Sequence, residues 1–260
     1  SPGGALDVGA RIDRPVIDGT LGGNPFVARA SGITVDDNRF STAALRMRLG
    51  RPESPIIFNA DRLYGSYAGG ALGGTFAGAE STIRDVPVRL SEMDGRWRVD
   101  QGDLLADGSA TVTDRNPEPR FYPLRTNDLS FALADGDIRA GGTLRHPGTG
   151  TRVTDVSIDH DLASGEGGAI LDVPGITFGA GLQPEELTRL TEGVIALVQG
   201  TVTGQGRINW SPGGTVTSTG EFSTAGMDLA APFGPVTGLT TTVNFVDLLN
   251  LESAPNQVAS

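Results

Sequence analysis

The sequence predicts an all-β protein built as a long antiparallel meander. Three observations predict it: hydrophobicity alternates with a period of two along most of the chain, turn-forming dipeptides separate the alternating runs, and glycine is abundant without clustering. The chain has 260 residues, of which 38 are glycine and 16 proline. That share is too dispersed for a low-complexity linker and suits many turns between short strands.

The alternating runs come in order. Leu6, Val8, Ala10 and Ile12 open the chain, and Ala43, Leu45, Met47 and Leu49 follow. Next come Trp97 and Val99, then Leu129, Phe131 and Leu133, then Val156 and Ile158. Ile208 and Trp210 precede a last run of Leu239, Thr241, Val243 and Phe245. Each run places one set of side chains on one face of a sheet and the intervening set in water. Gly22-Gly23-Asn24-Pro25, Asp94-Gly95, Asp107-Gly108, Asp135-Gly136, His146-Pro147-Gly148 and Ser211-Pro212-Gly213-Gly214 read as the turns between them. At about 12 residues per strand and turn, the chain holds on the order of 20 strands. One sheet of that size twists, curls or splits, because it cannot stay flat.

One segment departs from period two. From Gln183 to Val198, proline and acids sit at the start, and Gly200 lies beyond the end, as in a helix. A short amphipathic helix is therefore expected near 184–198, with Leu187, Leu190, Val194, Ile195 and Val198 on one stripe. The stripe either packs on the sheet as core or plugs the end of an apolar groove.

Charge and composition exclude several functions. The net charge is −11 and every basic residue is arginine, which opposes binding to nucleic acid or to anionic membrane surfaces. With no cysteine, thiol catalysis, thiolate metal sites and disulfides are ruled out. No apolar run approaches the ~20 residues of a membrane-spanning helix. The residues around Ser1 begin in mid-pattern, so the chain reads as one continuous β-sheet module, residues 1–260, cut from a larger protein with its targeting signal or anchor elsewhere. Asp159-His160-Asp161 has three metal-ligand types in a row, but strand neighbours point to opposite faces, so it reads as an exposed polar strand end. No nucleophile, phosphate-loop or dinucleotide motif is present. The sequence therefore offers no catalytic residue, no metal and no cofactor, and points away from an enzyme.

The last third carries a resemblance. Gln199-Gly200-Thr201-Val202-Thr203-Gly204-Gln205-Gly206-Arg207-Ile208-Asn209-Trp210 is followed by Thr217-Ser218-Thr219-Gly220-Glu221-Phe222 and Phe233-Gly234-Pro235-Val236-Thr237-Gly238-Leu239. Val243-Asn244-Phe245-Val246-Asp247-Leu248-Leu249-Asn250-Leu251 and Ala254-Pro255-Asn256-Gln257 close the segment. Over residues 180–260 this order resembles the YdbH family of AsmA-like bacterial envelope proteins. The resemblance implies a twisted sheet curled into a β-taco-like groove, anchored in the inner membrane of a Gram-negative cell by an N-terminal segment and crossing the periplasm. It implies phospholipid as cargo, a contribution to outer-membrane biogenesis, and a small outer-membrane lipoprotein as partner by strand addition.

Under that reading the groove is lined by Leu45, Met47, Leu49, Phe131, Leu133, Ile158, Ile170, Ile208, Trp210, Phe222, Val243 and Phe245. The residues alone are equally consistent with the core of a closed sandwich or barrel, since both need the same alternation. Three functions thus stand beside one another: a lipid-transport module, a structural or adhesive β-solenoid at the cell surface, and a carbohydrate-active enzyme on a β-scaffold. The lack of a fixed-period repeat weighs against the second.

Overall fold

Among the described residues, the alternating runs form seventeen strands joined in one antiparallel sheet. The computed structural model describes residues 9–21, 23–53, 55–84, 86–213, 216–255 and 257. Leu6, Val8, Gly22, Gly214 and Asn256 lie outside the described residues. The strands are β1 (Gly9–Asp13), β2 (Val16–Leu21), β3 (Asn24–Arg29), β4 (Gly32–Asp36), β5 (Arg39–Leu49) and β6 (Ile56–Ala68). They continue as β7 (Ala71–Ile83), β8 (Val88–Asp100), β9 (Asp103–Asp114), β10 (Leu124–Ala134), β11 (Asp137–Arg145) and β12 (Arg152–Asp161). The last are β13 (Gly167–Phe178), β14 (Ala196–Trp210), β15 (Thr217–Ala231), β16 (Gly234–Asp247) and β17 (Glu252–Ser253).

From β5 onward every strand pairs with the next in sequence, as a meander requires. At the other end β4 lies along the first half of β5 and β3 along the second half. Beyond these, β1 borders β4 and β2 borders β3.

Asp135-Gly136 forms the expected tight turn, with φ of 51° and 90°. Asp94-Gly95 and Asp107-Gly108 do not. Both lie in mid-strand, with Gly95 directly opposite Gly108. A side chain at Gly95 would collide with the carbonyl oxygen of Asp107, and one at Gly108 with that of Asp94. These glycines allow two strands to approach closely and turn nothing.

The sheet curls, and bulges curl it. Register shifts interrupt the ladders between Phe76 and Ala79 on β7, Thr126 and Leu129 on β10, Val173 and Ile176 on β13, and Thr224 and Met227 on β15. Each shift resets the alternation, so residues an odd number apart share a face. Through the curl, apolar residues of distant strands meet. Leu49 and Ile56, from β5 and β6, belong to one buried cluster with Leu133 and Ile138, from β10 and β11. Val86, after β7, likewise joins Ala169 and Trp210, from β13 and β14. Among the described residues the sheet is not closed into a barrel.

The helix expected near 184–198 is absent. Its place holds two single 3-10 turns, Pro184–Glu186 and Arg189–Thr191. The start signal is real: Gln183 and Glu186 form a capping box with Pro184 just inside. Propagation fails because Thr188 is extended (φ −142°, ψ 139°) and Gly193 takes φ 73°. From Ala196 the chain is claimed by β14, which pairs with β15. Of the expected stripe, Leu187 and Val198 are buried, Leu190 and Ile195 half-buried, and Val194 exposed.

Candidate functional site

Cross-strand register converts alternation on single strands into continuous rows across the sheet. One row runs through eleven strands: Phe40, Gly65, Gly74, Trp97, Ala106, Phe131, Ala140, Ile158, Ala169, Ile208 and Ser218. Ten spacings of ~4.8 Å give it a length of about 48 Å. A parallel row on the same face holds Leu104, Leu133, Ile138, His160, Gly167 and Trp210. No charged side chain occurs in either row.

From Trp97 to Ser218 large and small residues alternate along the long row, and at several places on this face large rings lie over glycines. A Cβ at Gly65 would strike the Phe40 ring, and one at Gly167 would stand 2.6 Å from the Trp210 indole. Phe222 covers Gly204 and Gly220 in the same way, at 2.6 and 2.8 Å from their absent Cβ atoms. Phe58 and Phe76 meet edge to face at 5.7 Å. The result is an aromatic-studded face with glycine as its floor.

Eleven of the twelve predicted liners share this face. Phe131, Ile158 and Ile208 lie in the long row, and Leu133 and Trp210 in the parallel one. Leu45, Met47 and Leu49 are opposite Ala60, Phe58 and Ile56, and all three pairs are wholly or partly buried. Phe222 faces Val243, and Phe245 faces Gly220. Ile170 is the exception: its cross-strand partners are Ser157 and Arg207, so it belongs to the polar face. Phe40, Phe58, Phe76, Leu104 and Ile138 belong to the apolar face and were not singled out by sequence. Trp97 could have been, since it leads the Trp97–Val99 alternation.

His160 is no exposed strand end. It is buried on the apolar face, where Nδ1 accepts a hydrogen bond from Trp210 Nε1 at 3.2 Å. Burial pushes its pKa below the ordinary value of 6.5. Its Nε2 is buried without a hydrogen-bond partner. Asp159 and Asp161 fall on the opposite face, across from Arg139 and Asp137. Among the described residues no group of three or more histidine or carboxylate side chains could hold a metal ion.

A concavity of about 1040 Å³ takes in six residues of the long row, Gly74, Trp97, Ala106, Phe131, Ala140 and Ile158. Its lining also includes Arg96, Arg98, Asp107, Arg139 and Asp159, which register places on the polar side. There Arg96 pairs with Asp107 at 2.7 Å and Arg139 with Asp159 at 3.7 Å.

A strap, residues 179–195, lies over one end of β10 to β14. Leu182 and Leu187 are buried there with Leu124, Val153, Val173 and Ile176. Its polar side docks on the segment before β10. Tyr122 N–H donates to the Leu187 carbonyl and Arg189 N–H to that of Arg120, both at 3.0 Å. The Arg189 guanidinium sits 5.0 Å from the centre of the Tyr122 ring. The docking segment is itself held by Asp114, fully buried, which accepts from Arg120 Nε at 2.7 Å and Nη2 at 3.0 Å. Burial opposes the charge on Asp114, but the Arg120 guanidinium and the N–H groups of Arg120 and Asn116 outweigh it and lower its pKa.

A family model described as YdbH-like, intermembrane phospholipid transport protein YdbH, matches residues 5–260. The chain belongs to the YdbH-like family. The resemblance seen in residues 180–260 therefore extends through nearly the whole chain. Neither the curated proteins nor the solved structures give a match. Membership places this YdbH-like chain among intermembrane phospholipid transport proteins of the cell envelope, in a family of lipid transporters and not a known family of enzymes. Among the described residues no helix is long and apolar enough to cross a membrane.

Proposed function

We propose that the apolar face of this YdbH-like chain is the path along which phospholipid acyl chains pass between the inner and outer membranes. The observation that carries this is the eleven-strand row from Phe40 to Ser218. An acyl chain forms no directional contacts and gains about 0.8 kcal/mol for each methylene removed from water. It therefore needs a dry surface that continues across strands. The cargo is phospholipid, and the full-length protein is held in the inner membrane by an N-terminal anchor. A small outer-membrane lipoprotein adds a strand beside β16. Supporting this, β17 meets β16 only at Phe245 and Asp247 among the described residues. The Gln257 carboxamide, which both donates to and accepts from the Asn244 backbone, is a side chain doing a strand's work there.

The test is organic extraction of detergent-free protein, followed by mass spectrometry. Phospholipid is expected in reproducible proportion. Ile208→Asp, on the apolar face, should lower the load, while Asn209→Asp, on the other face, should leave it unchanged. Leu133 is unsuitable for this test because it is 0% exposed and an acid there would unfold the core. Protein that is lipid-free and takes up no photo-crosslinkable phospholipid would replace the transport reading with that of a closed structural module.

A further inference from the structure

The hairpin of β15 and β16 ends in a two-residue turn, Pro232-Phe233, closed by the Ala231–Gly234 pair. Phe233 is 86% exposed, more than any other large apolar side chain described. Its neighbours across the sheet are exposed as well. Ala230 is opposite Ala196 at the start of β14, beside Leu197 at 74% and Val194 at 56% exposure. Water is a poor solvent for such a cluster, and single exposed apolar residues do not account for three together.

The tip itself is free of charge, the nearest charged residues along the chain being Asp228 and Glu192. No charged residue occurs from Gly193 to Gly206 or from Leu229 to Val246, although charged residues make up 20% of the chain. Pro232 and Pro235 carry no backbone N–H, so the tip presents fewer donors to desolvate. The apolar face also leads to this point. From the groove toward the turn, the apolar cross-strand pairs are Phe222–Val243 and then, beyond Thr224–Thr241, Met227–Leu239 and Leu229–Val236.

We propose that this tip, with Phe233 at its apex and Val194 and Leu197 beside it, inserts into the surface of a zwitterionic phospholipid bilayer. The turn and the strand ends beside it, Leu229 to Val236, carry no charge and so give up no ion hydration on entering the headgroup region. The net charge of −11 disfavours an anionic surface. The inference deepens the transport reading, because it puts a membrane contact where the acyl path ends, but its assay does not depend on bound cargo.

The experiment is flotation of the whole chain with phosphatidylcholine vesicles, beside Phe233→Ser and Leu197→Ser. These positions are exposed, so the variants should fold as the wild type does. The wild-type protein should float with the vesicles, and Phe233→Ser should cut the bound fraction about tenfold. In Phe233→Trp, the fluorescence gained over wild type should be quenched by brominated acyl chains. Wild-type protein left at the bottom of the gradient, equal flotation of Phe233→Ser, or an unquenched indole would each overturn the proposal. Unquenched binding that instead requires a membrane protein in the vesicles would reassign the tip to a protein partner. Flotation that persists in lipid-free protein would keep this inference while removing the cargo reading.

Discussion

Replacing Gly65 with alanine is expected to unseat the ring of Phe40. The new methyl would fall well inside van der Waals contact with Cε1 and Cζ of that ring and 3.0 Å from Cζ2 of Trp97. Phe40 and Trp97 are already in contact, with ring centres 6.2 Å apart, so the ring cannot move without disturbing the indole. Overpacking of this kind costs about 1–3 kcal/mol. Alanine's smaller backbone entropy in the unfolded chain returns about 0.4–1 kcal/mol. So deep an overlap belongs in the upper half of that range, so the net loss is about 1–2.5 kcal/mol, or a melting temperature lower by roughly 2–10 °C for a chain of this size. Thermal unfolding followed by circular dichroism measures the loss, and tryptophan emission reports the shift of Trp97. Adding Phe40→Leu to Gly65→Ala should restore part of the stability by making room. Gly179→Ala is the control, because a Cβ there meets nothing within 4 Å. Equal stability of Gly65→Ala and wild type, or no rescue by Phe40→Leu, would refute the claim that glycine forms the floor beneath the aromatic row.

Two further expectations concern buried charge. Arg120→Ala leaves the Asp114 carboxylate buried without its guanidinium and should cost about 3–5 kcal/mol in chemical denaturation, whereas Arg96→Ala, in an exposed pair, should cost under ~1 kcal/mol. His160 is held neutral when folded, and its Nδ1 already accepts from Trp210, so the unfolded chain binds the proton more readily. Stability should fall as the pH drops below the ordinary histidine value of 6.5 and level off below the depressed folded value. His160→Leu should flatten that fall in melting temperature, and an unchanged pH profile would exclude His160 as its source.

The alternation made the sheet and one face of it legible, because period two is a property of each strand alone. What it could not show was any feature depending on two strands at once. Ile170 follows Ala169, and either could have been the inward residue until the partners Ile208 and Arg207 decided it. The Asp-Gly pairs at 94 and 107 have the composition of turns, and their role as strand glycines appears only when they meet. At 184–198 the start signal was correctly read, but Gly200, read as the stop, lies within β14, and the competing pairing of Ala196 with Ala230 is a long-range contact invisible to a local pattern. His160 was judged by its acidic neighbours, although those neighbours point to the other face.

Continuity across strands places a demand on sequence that burial alone does not. A closed core needs only that each strand have an apolar side, and bulky residues on every strand would fill it best. Here the long row places glycine or alanine at β6, β7, β9, β11 and β13, between larger residues on most of the other strands. Ala106, Ala140 and Ala169 each leave a dip between two large residues, Gly65 and Gly74 share one between Phe40 and Trp97, and the rings of Phe40 and Trp210 lie over glycines. Such a surface stays apolar from strand to strand while remaining low enough to admit a flexible chain. The bulges on β7, β10, β13 and β15 then bend that surface onto itself. Glycine, read from composition as punctuation, is in these strands what keeps the path level.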